Sequence, residues 1–206
     1  YENADPNLFR EPSGTLDTTN SSYHAINDRV TRVEGSVFHP ERYTLKLEGS
    51  AFRGYQTVAI GGIRDPFIIR GVDAWRDGMM EHFKQRVQEL TGFEVGREVN
   101  IEISFYGRDA VMGKTEPMQD QSAHELGILF TVTAPEQSVA TDIARFVTHA
   151  GSHWSIPEWK GFISGIAFPF SPPEIERGPA YRFMLNHVLV PESLFDPFRF
   201  SLEEVR

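Results

Sequence analysis

Two kinds of apolar repeat run through the chain. Val99, Ile101, Ile103 and Phe105 alternate with Asn100, Glu102 and Ser104, and Leu126, Ile128, Phe130 and Val132 repeat the pattern. A period of two predicts half-buried strands. Between Ile68 and Leu90 the spacing changes. Ile68, Val72, Trp75, Met79, Phe83, Val87 and Leu90 recur every three or four residues, which predicts one apolar helical face. Asp65-Pro66 suits the start of that helix, as N-cap and first helical residue, and Gly92 suits its end. Gly71 and Gly78 weaken the helix and equally admit tight packing. Thr133-Ala-Pro-Glu136 has capping-box spacing. The helix predicted after it buries Val139, Ile143, Phe146, Val147 and Ala150. Gln56–Ile63 reads as a further strand, its small Ala59, Gly61 and Gly62 allowing close approach of another element. Tyr181–Val190 reads as the last strand.

The first forty residues are polar and turn-rich. Val30–Val37 and Thr44–Glu48 are the strand candidates there. The expected organisation is a loop-rich strand segment over 1–55 and an α+β domain over 56–206. From Gln56 the order is strand, helix, strand, strand, helix, strand. That is the pattern of a ferredoxin-like split βαβ sandwich, here with an N-terminal loop and strand extension. Right-handed crossovers make its first two strands parallel and turn the other two the opposite way. One edge of the sheet then collects Arg64 and Asp65, Arg108 and Asp109, His124 and Glu125, and Arg182. His149 and His153 arrive at the same edge with the end of the second helix.

Composition narrows the function. Hydrophobic residues make up 40% and charged residues 24%, ordinary for a globular protein, and 16 Phe supply a core. The net charge of −9, without a basic run, argues against nonspecific nucleic-acid binding. The absence of Cys excludes disulfides, zinc thiolates and thiol catalysis, and fits a reducing compartment. No apolar run is long enough to span a bilayer and no signal peptide is visible, so a cytoplasmic location is expected. The chain opens Tyr1-Glu2-Asn3 without Met, as if cut from a longer protein.

The long stretch between the two alternating strands holds Arg108, Asp109, Lys114, Glu116, His124 and Glu125. Long loops in compact domains usually carry function. His124 with a carboxylate to orient it suits acid–base work, and arginines suit gripping a carboxylate or phosphate. An Arg–Asp pair closing a turn, with His124 at a strand start, accounts for the same residues without chemistry. His149 and His153 share one helical face, a metal-binding spacing that needs a third ligand such as His124 or Glu158. A surface or interface role for that pair is the simpler reading, and no metal or cofactor is expected. Gly61-Gly62 before a helix start resembles a phosphate loop only weakly. It lacks GxGxxG and a Walker lysine, and Asp65 would repel an anion. Phe168–Pro173 is a rigid apolar segment suited to a lid or a docking surface, and Trp154 and Trp159 suit core packing.

GYQTVAIGGIRDP (54–66), FYGRDAVMG (105–113), HELGILFTVTAPEQ (124–137), AFPFSPPEI (167–175) and GPAYRFMLNHVL (178–189) together resemble the C-terminal half of the acyclic-terpene-utilisation protein A (AtuA-like) family. The opening YENADPNLF resembles that family's YE-x-x-DP segment, so the likeness covers nearly the whole chain. The resemblance implies catabolism of citronellol- and geraniol-type terpenes, with a lyase or hydratase reaction on a branched hydroxyacyl-CoA or related carboxylate. It also implies an N-terminal domain preceding this region. Matched motif positions are Arg64, Asp65, Arg108, Asp109, His124, Glu125, Ser171, Tyr181 and Arg182. The Trp-rich 154–159 region departs from the family pattern.

Two expectations follow. In the first, His124 is the acid/base, Glu125 or Asp109 its orienter, and Arg64, Arg108, Arg182, Ser171 and Tyr181 bind an acyl-CoA or carboxylate around one concavity. In the second, the domain is a non-catalytic assembly module that docks the missing N-terminal domain or another copy in a homo-oligomer. No nucleic acid and no membrane enter either one.

Overall fold

The computed structural model describes residues 5–118, 121–157, 164–193 and 195–204. Glu158, Trp159 and Gly161, and the opening Tyr1-Glu2-Asn3, lie outside the described residues. The protein is of mixed α+β class and divides into two compact units, one of Ala51–Arg182 and one of Tyr1–Ser50 with Phe183–Arg206.

The larger unit holds the core. Its sheet contains β7 (Asn100–Tyr106), β8 (Leu126–Ala134), the part of β6 (Leu45–Ile63) from Ala51 and the part of β9 (Glu174–Leu189) up to Arg182, in the order β7-β8-β6-β9. β6 and β7 both pair antiparallel with β8, from Tyr55 opposite Ala134 to Ile63 opposite Leu126, and from Asn100 opposite Thr133 to Tyr106 opposite Gly127. β6 and β7 are therefore parallel to each other, as the crossover rule requires. The alternation read from sequence is real burial. Leu126, Ile128, Phe130, Val132 and Ala134 are buried and the residues between them are not.

Helix α2 (Val72–Thr91) covers the inner face with Val72, Trp75, Met79, Phe83 and Val87. Asp65 caps the short helix α1 (Pro66–Arg70) before it, its Oδ1 accepting from the Phe67 and Ile68 amides at 2.7 and 3.1 Å. The single predicted helix is thus broken at Gly71, which is C-cap of α1 and N-cap of α2. Gly92 closes α2 in the left-handed conformation, as expected. Gly78 lets the indole of Trp154 approach: a β-carbon there would stand 3.5 Å from that ring. Trp75 Nε1 donates to the Trp154 carbonyl at 3.1 Å, so Trp154 belongs to the packing of α2.

Helix α3 (Gln137–Ser152) differs from the sequence reading at its start. Its N-cap is Glu136 with no side-chain cap bond, and Thr133 and Ala134 are still strand. The ladder claims Thr133, between Gln56 and Asn100, so the capping-box spacing is coincidental. The core-facing stripe is also rotated from the predicted one, with Ala140, Ile143, Ala144, Val147 and Gly151 buried and Val139, Phe146 and Ala150 at its margin. A polar chain pins this helix. Gln137 Nε2 donates to Thr57 Oγ1 at 2.8 Å, Thr57 and Thr141 share a hydroxyl contact of 3.0 Å, and Thr141 donates to Glu176 at 2.9 Å. Buried Thr57 is thereby satisfied.

β6 joins two segments that the sequence separated, running 19 residues from Leu45. Gly54 permits it. Its φ is +132°, and a β-carbon there would meet the Ala134 carbonyl oxygen at 2.4 Å. Gly54→Ala is expected to destabilise the chain by about 2 kcal/mol or more, from backbone strain plus a clash with main chain. Urea denaturation measures this, and a midpoint equal to wild type would show that β6 does not pass Ala134 so closely.

In the smaller unit, β1 (Leu8–Glu11), β2 (Gly14–Asp17) and β5 (Val37–Pro40) form one antiparallel sheet, and β3 (Ser22–Asn27) and β4 (Val30–Glu34) a hairpin. Sequence suggested mainly loop here. Every residue of β1, β3, β4 and β5 is exposed, and without a buried face no period-two signal arises.

Candidate functional site

The last rungs of β6 and β7 and the first of β8 lie at one edge of the sheet, where Ile63 faces Leu126 and Tyr106 faces Gly127. Arg64 and Glu125 flank the Ile63–Leu126 rung, and His124 precedes Glu125. Gly107 turns the chain out of β7 with φ +92°, and the Glu125 carbonyl lies 3.3 Å from where its β-carbon would be. Arg64, Arg108, Asp109, His124 and Glu125 thus converge on this edge, as the topology argument required. Arg64, His124 and Glu125 are exposed, and no hydrogen bond or ion pair of theirs occurs among the described residues.

A cleft of about 390 Å³ opens beside this edge, between α2 and the chain following β7. Its walls include Asp73 and Arg76 of α2 and Arg108, Asp109, Lys114 and Glu116 of the loop. Four of these interlock. Asp73 Oδ2 accepts from Arg108 Nη2 at 2.5 Å, and Asp73 Oδ1 lies 3.2 Å from Arg76 Nη2. Arg76 also reaches Asp109 Oδ2 and Asp77 Oδ1, each at 3.5 Å. The guanidinium of Arg76 sits 5.9 Å from the centre of the Phe105 ring. These side chains are half-buried: Arg76 is 26% exposed, Arg108 30% and Asp109 31%. Partial burial strengthens the attraction within these pairs over that of surface pairs and adds a desolvation cost.

Sequence reasoning named Arg108 and Asp109 and missed Asp73 and Arg76. Their signal was the i, i+3 spacing Asp73–Arg76 on the polar face of a helix otherwise read only for its apolar stripe. His124, Glu125 and Arg64 do not line the cleft. Ala123 packs beside Gly107 and Arg108, so His124 follows directly on the residues that close the far side of Arg108.

Tyr181 and Arg182 fall elsewhere, which corrects the expectation of one concavity holding all the arginines. β9 begins at Glu174, not Tyr181. Ala167 bridges Gly62 near the end of β6, whereas the Tyr181 ring lies 5.9 Å from Phe52. At ~3.3 Å per residue, Tyr181 and Arg182 are on the order of 40 Å down β6 from Arg64. Gly178 and Pro179 lie inside β9, which is an edge strand of its sheet and tolerates both. The Gly178 amide donates to the Gln137 side chain at 3.1 Å instead of to a strand. Ser171 is exposed, four residues beyond the Ala167 bridge. In the Pro-rich segment Phe168 packs against the core while Phe170 is 53% exposed.

Gly61 and Gly62 serve packing. A β-carbon on Gly61 would stand 2.4 Å from Ile166, and Gly62 exchanges backbone hydrogen bonds with Ala167. The rings of His149 and His153 lie 5.2 Å apart at the end of α3. Among the described residues no group of three or more His, Asp or Glu side chains is placed to hold a metal, and Glu158 lies outside them. No helix of the described residues is long and apolar enough to cross a membrane.

No family model matches the chain, and no curated protein and no solved structure shows significant similarity to it.

Proposed function

We propose that the chain belongs to an AtuA-like catabolic protein and that its cleft receives the carboxylate or phosphate end of a branched hydroxyacyl-CoA or related acid for a lyase or hydratase reaction. The observation that carries this reading is the cleft itself, where the family-like segment FYGRDAVMG turns Arg108 and Asp109 into a concavity against α2. A guanidinium in a half-buried cleft is suited to an oxyanion. His124 and Glu125 at the adjoining strand start provide the acid–base pair that proton removal beside a thioester carbonyl requires. The strand order β7-β8-β6-β9 and the antiparallel pairings support a ferredoxin-like reading of the larger unit. A cytoplasmic location accords with this metabolism.

Calorimetric titration with coenzyme A, a branched acyl-CoA and a short branched carboxylate tests the site. Arg108→Ala is expected to weaken binding by about tenfold or more, the loss of a charge-assisted contact. Wild type that binds none of the three ligands would remove this reading.

The second reading, an assembly module, is favoured by the smaller unit. Among its described residues Phe9, Tyr23, Ile26, Val33, Phe38 and Phe200 are all exposed, and none of the buried core side chains belongs to it. Strand pairs without a buried face are marginal alone and gain stability from a covering partner. A stable monomer by light scattering, for this chain and for any longer protein containing it, would count against the assembly reading.

A further inference from the structure

We propose that Arg76 and Arg108 form a two-guanidinium clamp for one oxyanion, and that the carboxylate of Asp73 fills the ligand's place while the cleft is empty. This rests on the reading of the cleft as an anion site and adds to it how the anion is held.

The geometry of Asp73 carries the inference. Its two carboxylate oxygens point to different arginines, Oδ1 to Arg76 Nη2 at 3.2 Å and Oδ2 to Arg108 Nη2 at 2.5 Å. The two guanidinium groups are thus spaced to grip one carboxylate between them. They come from different elements, helix α2 and the turn after β7, so the spacing is a product of tertiary packing. Arg76 is anchored by groups other than Asp73, and Arg108 by its backbone. Arg76 rests over the Phe105 ring and reaches Asp109 and Asp77, while the main chain of Arg108 is held in a turn in which its amide donates to the Phe105 carbonyl at 3.3 Å. Arg76 therefore keeps its position when the carboxylate is exchanged, and the Arg108 side chain, rooted in the turn, is free to follow the incoming oxyanion.

Asp73 is suited to be exchanged. It lies in the first turn of α2 and is 48% exposed, more than either arginine. A side chain near a helix start retains a favourable interaction with the helix dipole after it leaves its partners. The balance of charge agrees. The lining pairs Asp73, Asp109 and Glu116 against Arg76, Arg108 and Lys114, so removal of Asp73 from the cleft leaves it net positive. The volume of about 390 Å³ suits a phosphate or a short branched carboxylate, or one end of a longer thioester. Carboxylate and phosphate share the planar or tetrahedral oxygen pair that a guanidinium fork recognises.

The test is calorimetric titration of the full chain with inorganic phosphate, 3-methylbutanoate and coenzyme A in parallel, on wild type, Arg76→Gln, Arg76→Lys and Asp73→Asn. Melting temperatures are recorded for each. Arg76→Gln is expected to weaken the bound anion by about tenfold, and Arg76→Lys by less, since charge remains while the fork is lost. Asp73→Asn is expected to tighten it by roughly threefold or more, because the competing carboxylate is gone. The probe that responds identifies the oxyanion source. If no probe binds wild type, the anion-site reading and the clamp fall together. If a probe binds wild type and is insensitive to Arg76→Gln, the clamp falls and the anion site stands. Weakened or unchanged binding in Asp73→Asn, with a lowered melting temperature, would make Asp73 a structural tie and overturn its role as place-holder.

Discussion

Phe130→Ala is expected to destabilise the chain by about 3–5 kcal/mol, the cost of removing a fully buried aromatic side chain and leaving a cavity. Phe130 is 0% exposed, in the middle of β8, opposite Ala59 on one neighbour strand and Ile103 on the other. Its ring ends under α3 at Gly151, where a β-carbon would lie 3.1 Å from Phe130 Cζ and 3.3 Å from Met79 Sδ. One ring therefore joins the sheet, α3 and α2. The neighbours cannot close the gap cheaply. Ala59 and Gly151 have almost no side chain to move, and Ile103 is fixed by its own strand. Domains of this kind are stable by only ~5–15 kcal/mol, so the loss is a large fraction of the total. Urea denaturation of wild type and variant gives the difference, with Phe130→Leu expected to lose less than half as much. A change below about 1 kcal/mol for the alanine variant would mean that α3 does not pack on the sheet through this ring.

That core was legible because it obeys simple periods. β7 and β8 alternate cleanly, and α2 repeats every three or four residues, since each has one dry face. The same physics explains the misreadings. β1, β3, β4 and β5 of the smaller unit bury neither face, so no alternation marked them. Thr133–Glu136 had the letters of a capping box, but a ladder with Gln56 and Asn100 held Thr133 in strand. The last strand was expected from Tyr181, but β9 begins at Glu174 and passes through Gly178 and Pro179, because at a sheet edge a missing donor costs little. The candidate site divides the same way. Topology alone brought Arg64, Arg108 and His124 to one edge, since strand direction fixes where each strand ends. It could not find Asp73 and Arg76, because helix rotation about its axis relative to the loop depends on packing at Phe105 and Trp154. Nor could it exclude Arg182 without the start of β9.

Under the proposed lyase or hydratase reading, His124→Ala is expected to lower turnover of a branched hydroxyacyl-CoA by roughly 10²–10⁴-fold, the usual share of a general acid or base. The melting temperature should stay close to wild type. The two expectations have separate grounds. His124 is exposed, just ahead of Leu126, and makes no hydrogen bond among the described residues, so its side chain contributes little to folding. Its place contributes more. Glu125 follows it, Arg64 stands at the end of the neighbouring strand, and Ala123 before it closes the wall beside Arg108. A base there needs no burial in the empty state, because substrate supplies the cover and the hydrogen bond. Two further outcomes separate the alternatives. If His124 is the base, the acidic limb of the wild-type pH–rate profile should vanish in the variant, and a retained limb would assign the base elsewhere. A variant that folds and turns over at the wild-type rate would end the catalytic role of this edge. A variant that fails to fold would make His124 part of the strand-start architecture, and the proposed acid–base chemistry would then lose its principal residue.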